Sequence, residues 1–428
     1  MCKDSMDVPA PTLRDMLTTA IEQAQTLTFS SRPVGLVEAL QSADIDVWYE
    51  AGNALTELSK GLSAAVTRDE RFLGDSVRML RNGWGGGLGF YPNFLGSPLL
   101  LQALKTGSAD AAIGWLQEII ETNVATGRTI QTLWGVPVKR AVDLTPQVRI
   151  VPIEELPDSE QKRHLLQRNF RSDPSALATM LEHLPLQSAL VTDRSISPLL
   201  YDPNDGHPNE NYIDTDNLLK EIALVLTVVG PRMAIPGLQW FEFDNPDFTI
   251  GHGYTTKILE VLPLRVNEDP PLDEDEAKQI VGAYLALSGK TRKLVRVALQ
   301  RIGQAMRRHN VGDAAVELST AFEALLGDEA TQEMTHKVRV RSVRLIGGPD
   351  AIRRANAAVM KKAYDVRSKL VHTGTVDETA TEALDGERVP VRQIIDRALL
   401  LCVELVKIII RRGEIPDWSL FDITEQRE

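Results

Sequence analysis

The chain predicts a mixed α+β region over residues 1–270 followed by an all-α helical bundle, and three observations carry that fold class. Short runs rich in β-branched residues, broken by Gly and Pro, lie at 128–136, 138–144 and 148–151 and return at 188–192, 238–243 and 258–266. The segment 267–276, N-E-D-P-P-L-D-E-D-E, holds two prolines, six acids and one apolar residue, Leu272, as a boundary between domains does. Beyond it the long segments carry helical spacing only.

In order, residues 11–30 place Leu13, Met16, Leu17, Ile21 and Ala24 on one helical face. Residues 44–66 read as a strand or turn and then a helix through Ala54, Leu55, Leu58 and Leu62, and 71–80 extend this helical part. Residues 82–89, N-G-W-G-G-G-L-G, fit neither the G-x-x-x-x-G-K-[ST] loop nor a strand–G-x-G-x-x-G–helix frame, so they read as a turn and not a phosphate cradle. Helices follow at 98–105 and at 110–123, the second with Ile113, Leu116, Ile119 and Ile120 on its apolar stripe. After the first β-rich runs, 157–170 looks helical, 202–211 is a loop by composition, and 216–229 is an apolar helix opened by an Asp cap. The first 270 residues thus divide into a mostly helical part, 1–126, and a mixed α+β part, 127–270. Helices are expected at 274–287, 291–309, 312–326, 331–346, 351–372 and 391–412, joined by short Gly- and Pro-bearing links that suit an antiparallel bundle over 271–415. Residues 373–388 form an acidic loop, a lid or a simple link, and 416–428 a C-terminal tail.

Composition narrows the function classes. The 428 residues are 43% hydrophobic and 25% charged, ordinary for a soluble globular chain. Two cysteines, Cys2 and Cys402, provide neither a disulfide framework nor a zinc site, and a cytoplasmic setting is expected. The longest apolar stretch, 398–410, is broken by Glu404 and Lys407 and is too short to span a bilayer. His252, His309 and His336 stand without second ligands, and no metal or cofactor is called for. The net charge of −12 is uneven: residues 1–270 carry 22 basic and 35 acidic groups, whereas 287–372 carry 17 and 8. Such a basic zone attracts phosphate even on an acidic protein, and it also describes a set of solvated helix faces.

Within that zone, residues 360–374 read M-K-K-A-Y-D-V-R-S-K-L-V-H-T-G, with Gly374 placed to cap the helix in the left-handed conformation. Arg367 and His372, five residues apart, sit ~140° from each other around a regular helix. They converge on one substrate only if the helix unwinds near Gly374 or a second copy faces the first, so a homodimer is expected. The apolar last helix (Ile394, Leu399, Val403, Val406, Ile409, Ile410) offers it a surface, unless that stripe is used within one chain.

The words R-S-K-L-V-H, preceded by A-V-E-L-S-T-A-F-E-A-L-L at 315–326 and the repeated arginines of 336–346, resemble the R-x4-H ribonuclease motif of the HEPN superfamily in its Apea-like branch. The resemblance covers 273–412, about a third of the chain. Ser368 follows the arginine, as in Apea-like members, where many HEPN nucleases carry Asn, Asp or His. The resemblance implies a metal-independent endoribonuclease with the two motifs of a dimer meeting in one cleft, and RNA, tRNA among the candidates, as the substrate. The layout is similar to that of bacterial phage-defence proteins, which implies that the N-terminal region, with its mixed part 127–270, senses a trigger or recognises the substrate. The residues fit such chemistry: Arg367 supplies a guanidinium fork for an extra-negative phosphorane, and His372 moves protons at neutral pH. Glu323, at the edge of an apolar helix, needs a partner, and Arg367 is the expected one. Tyr364 either stacks on a base or belongs to the core. Lys361, Lys362, Lys369 and Ser368 are the candidate RNA contacts, with Asp365 competing for Lys369. Arg353 and Arg354 lie too far along the helix for the active centre but can extend the RNA track. The competing class is a non-catalytic RNA- or nucleotide-binding and dimerising module whose activity lies in the N-terminal region.

Overall fold

Ten residues, Ala125–Trp134, decide the architecture of the first half, because from Thr129 onward both faces are buried. In the computed structural model, which describes residues 11–29, 34–42, 44–72, 74–83, 87–159, 162, 186–205, 210–248, 269–328, 333–384 and 386–424, this strand β3 is the next-to-edge strand of an antiparallel five-stranded sheet. Its partners are β4 (Val142–Asp143), β5 (Val148–Pro152), β6 (Ser188–Ile196) and β8 (Ile235–Phe243), in the order β4-β5-β6-β3-β8. Register follows the burial pattern: Ile130 faces Val191 and Trp240, all on one side, while Leu133 and Leu190 face the other. Between Gln131 and Leu133 the pairing with β8 slips, and the hydroxyl of Thr132 fills the gap by accepting from the Leu238 amide at 2.7 Å.

The N-terminal helices form a satellite core. Helix α1 (Leu13–Gln25) opens on a capping box between Thr12 and Asp15 and packs with α4 (Leu62–Arg68), α5 (Gly96–Thr106) and α6 (Ala109–Glu121) through Leu17, Leu62, Leu99 and Leu116. The short α2 (Leu36–Ala39) and α3 (Ile45–Leu58), capped by Asp44, close a smaller cluster around Phe29 and Val47. Two expectations fail here. Residues 71–80 do not extend a helix but lead into β1 (Arg78–Arg81), and the glycine-rich run ends in β2 (Gly87–Phe90), its antiparallel partner. A strand wins because Leu80 and Arg81 are both buried, the Arg81 Nε donating to Pro198 O at 3.0 Å and its guanidinium lying 4.5 Å from the Tyr201 ring centroid. Strand β7 (Leu200–Tyr201) completes this small sheet.

Helix α7 (Glu210–Leu226) starts six residues before the expected Asp216 cap. Asp216 instead lies inside it and pairs with Lys220 at 2.6 Å. The inner face of α7, with Leu219, Ile222, Ala223 and Leu226, joins the sheet face of Leu133, Ile150 and Leu190 to the core of the C-terminal helices. The acidic Pro-Pro segment runs across this shared core: the Leu272 amide donates to Pro137 O at 2.8 Å, and Leu272 itself is buried. The helix expected at 157–170, beyond its first residues, and the strand at 258–266 lie outside the described residues.

The second half is the expected helical bundle: α8 (Glu274–Ala286), α9 (Gly289–Arg307), α10 (Val311–Leu326), α11 (Met334–Ile346), α12 (Asp350–Thr373) and α13 (Val391–Arg412). Helix α10 is its centre, touching α9, α11, α12 and α13, and it starts where the Asn310 side chain accepts from the amides of Gly312 and Asp313. The loop expected at 373–388 is in part a hairpin, β9 (Thr381–Leu384) with β10 (Glu387–Pro390). Leu384 and Val389 anchor it in the main core. A short helix α14 (Trp418–Ile423) lies in the expected tail and buries Trp418. No helix among the described residues is long and apolar enough to cross a membrane.

One backbone position makes a sharp stability prediction. A Cβ on Gly127 would stand 2.2 Å from Glu242 O and 2.5 Å from the Phe241 ring. Gly127→Ala must therefore push β3 away from β8, and we expect a loss of at least ~1–3 kcal/mol, read as a lower urea midpoint at unchanged slope.

Candidate functional site around Arg367 and His372

Helix α12 buries Val359, Met360, Ala363, Tyr364 and Val366 on its inner face. It ends as expected: Gly374 adopts φ 74° and its amide donates to Leu370 O at 2.8 Å. The helix stays regular through Thr373, so it does not unwind between Arg367 and His372. Within one chain the two side chains keep their ~140° separation. Arg367 is half-buried at the edge of the inner face, and His372 is exposed in the last turn.

The structure brings Glu323, Tyr364 and Arg367 together. The Tyr364 hydroxyl donates to Glu323 Oε1 at 3.4 Å, a long bond. Burial first, and then the Glu323 charge, push the Tyr364 phenol far above its usual range, against the opposing pull of Arg367. Tyr364 is therefore a neutral donor in the core and not a stacking platform or a base. The expected Glu323–Arg367 ion pair is not formed among the described residues, because Glu323 faces the phenol instead. Arg367 is left with a buried Nε that makes no hydrogen bond. A guanidinium so placed keeps donors for an incoming anion, and leaving a buried donor unmet costs ~1–3 kcal/mol.

The lysines divide. Lys362 is taken by Glu382 of the hairpin at 3.0 Å, which removes it from the free phosphate contacts. Lys361 and Lys369 are exposed, Ser368 is half-buried, and no ion pair joins Asp365 to Lys369 among the described residues. Arg353 donates to Gly348 O at 2.7 Å and Arg354 to Asp350 O at 3.4 Å, both on the first turns of α12 and away from the motif. The segment after the motif is fixed over it: the Glu378 carboxylate accepts from the Val311 amide at 3.3 Å, and Val376 and Leu370 both close on Gly312. Of the two readings, lid or link, the hairpin with its buried Leu384 and Val389 is neither; it is an anchored wall beside α12. The apolar stripe of α13 is likewise spent inside the chain, with Ile394, Val403, Val406, Ile409 and Ile410 buried and Leu399 packed against the same core. That helix therefore offers a second copy little. Val371 does offer something: it is 59% exposed and lies between Arg367 and His372 around the helix.

Sequence reasoning passed over a second group of cations, on α9. Arg296, Gln300 and Arg307 recur at i, i+4 and i+11, a polar stripe beside the buried Val295, Ala298, Leu299 and Ile302. The stripe was legible as a face, but what faces it, α7, lies some seventy residues earlier in the chain. Comparison with protein-family models, with curated proteins and with solved structures returns no match for this chain.

Proposed function

We propose that residues 271–415 are an Apea-like HEPN module acting as a metal-independent endoribonuclease, in a bacterial phage-defence or stress-response role. Arg367 carries the reading: a half-buried guanidinium with an unmet Nε, five residues before an exposed histidine at a helix end. In the reaction the 2′-hydroxyl of RNA attacks the adjacent phosphorus, the new O2′–P bond forms, and the P–O5′ bond breaks. One proton leaves O2′ and one arrives on O5′, so the products are a 2′,3′-cyclic phosphate and a free 5′-hydroxyl. His372 moves the proton, and Arg367 stabilises the phosphorane through charge-assisted hydrogen bonds of ~1.5–3 kcal/mol each. Because α12 is regular, the arginine and the histidine that meet at one phosphate come from two copies of the chain, with Val371 in the contact between them. Lys361 and Lys369 lie on the approach of the RNA backbone.

The test is incubation of the purified chain with tRNA and with total RNA in excess chelator. Cleavage that persists and leaves 2′,3′-cyclic phosphate ends is the expected result; ends bearing a linear 3′-phosphate from the outset, or dependence on added metal, count against it. A second reading has one observation in its favour: His372 points away from Arg367 within the chain. In that reading the bundle binds RNA or nucleotide without cutting it, and binding without cleavage under all conditions supports it.

A further inference from the structure

Away from the motif, on the other side of α10, a cleft of about 590 Å³ opens between the two halves of the molecule. Its walls are α7 and the start of β8 from the first half, and α9 with α10 from the bundle. Its volume falls in the ~300–1,000 Å³ range of small-molecule sites.

The charges around it are arranged in two matching groups. At one end, Glu221 sits between two guanidiniums: Arg296 Nε at 2.9 Å and Arg292 Nη2 at 3.5 Å, with the Tyr284 hydroxyl donating to the same carboxylate. At the other end, Glu317 sits between Arg301 Nη1 at 2.9 Å and Arg308 Nη2 at 2.6 Å. Burial works against the Glu317 charge, but the hydrogen bonds from Arg308 and Arg301 outweigh it and hold its carboxyl below the usual range. Each group is one carboxylate against two guanidiniums and so keeps one excess positive charge. Lys220, paired with Asp216, and Arg307 line the space between them. The two groups together set four guanidiniums against two carboxylates. Every guanidinium has five N–H donors, of which a carboxylate uses one or two. The carboxylates hold the arginines in place for a further anion. In a concave site the uncompensated charge is focused on whatever enters. Leu224, Ala234 and Pro236 add an aliphatic wall, and Gln300 and Gln304 add neutral amides.

We infer that this cleft binds a small organic molecule carrying at least two phosphoryl groups, of the nucleoside di- or triphosphate kind, with the phosphates spread between the Glu221 and Glu317 groups and the apolar part on the α7–β8 wall. Two excess-positive ends on one cleft match a polyphosphate with a body, and not a single small anion. The carboxylates at both ends also disfavour a continuous nucleic-acid strand threading the cleft. Occupancy would tie α7 to α9 and so brace the two halves together. The inference stands independently of the ribonuclease reading.

Titration calorimetry and thermal unfolding of the full chain with inorganic tripolyphosphate and with ATP test it, against adenosine and sulfate at matched ionic strength. We expect saturable binding of both polyphosphates, one site per chain, and a rise in melting temperature that adenosine and sulfate do not give. Gln300 and Gln304 are exposed and take part in neither carboxylate group, so Gln300→Glu/Gln304→Glu adds charge without breaking an ion pair. That variant should keep its ligand-free melting temperature and bind tripolyphosphate at least tenfold more weakly, whereas Gln304→Lys should bind it no more weakly than the parent. The inference is overturned if tripolyphosphate and ATP do not bind, if sulfate binds as well, if the Glu pair leaves affinity unchanged, or if an oligonucleotide binds in their place.

Discussion

Replacing His372 with alanine is expected to slow RNA cleavage by ~10²–10⁴-fold, the range for losing a positioned proton-transfer group. The side chain is exposed on the last turn of α12, so its removal should leave folding unchanged. Arg367→Ala is expected to cost ~10²–10³-fold, as the loss of one preorganised donor set does. Arg367→Lys should not restore the activity, because a lysine offers a point charge where the fork meets two phosphate oxygens. Single-turnover cleavage rates, with circular dichroism as the check on folding, read all three. A His372→Ala rate within tenfold of the parent would remove the histidine from the chemistry.

The largest stability effect is expected at Arg341. This arginine is 2% exposed and holds four groups: Asp328 at 2.7 Å, Asp422 at 2.6 Å, Leu326 O at 2.6 Å, and the face of Trp418 with its guanidinium carbon 5.2 Å from the ring centroid. It thereby fastens α14 and the end of α10 to α11. Arg341→Ala takes the shared guanidinium from two carboxylates, leaving Asp328 to Lys337 at 2.8 Å, and leaves a carbonyl without its donor. Removing one partner of a buried pair costs ~3–5 kcal/mol, but solvent reaches the Asp328 and Asp422 side chains, 29% and 35% exposed, so ~2–4 kcal/mol is the expected loss. Urea unfolding followed by near-ultraviolet circular dichroism measures it; a loss under 1 kcal/mol would contradict this role. The same cluster sets an acid limit. Hydrogen bonds from Lys337 and Arg341 lower the Asp328 carboxyl from 3.8 to about 2. A depressed folded value means its contribution is fully present above the unfolded value and is lost as pH falls from about 4 toward 2. In Arg341→Ala part of that pH dependence should disappear.

The bundle was legible because each helix announces itself locally. Asp273 and Asn310 cap α8 and α10, Gly374 ends α12, and the apolar spacing between is long enough to fix the period. The hairpins were missed because their strands are four residues each, too short for alternation to show. The signals that could have found them are the Asn82-Gly83 and Asp385-Gly386 dipeptides, which favour tight hairpin turns. The acidic segment at 267–276 reads as solvated linker, yet its single apolar residue, Leu272, seals a core common to both halves. At the site, helical spacing puts Tyr364 one turn before Arg367, and the core-edge place of Glu323 calls for a partner, but nothing local says that the phenol and not the guanidinium meets it. Lys362 was lost to Glu382 because that partner lies on an unread hairpin. The α7–α9 cleft depends on a docking angle that no local pattern encodes.

The pairing of Arg367 and His372 across two copies is tested most directly by mixing. Arg367→Ala and His372→Ala chains are denatured together, refolded, and assayed on RNA in excess chelator. If one chain's arginine works with the other's histidine, the mixture regains one intact pair in each mixed dimer, up to about a quarter of the parent rate for random assortment, although each variant alone is inactive. No recovery, from variants that fold and dimerise as the parent does, would contradict the shared site.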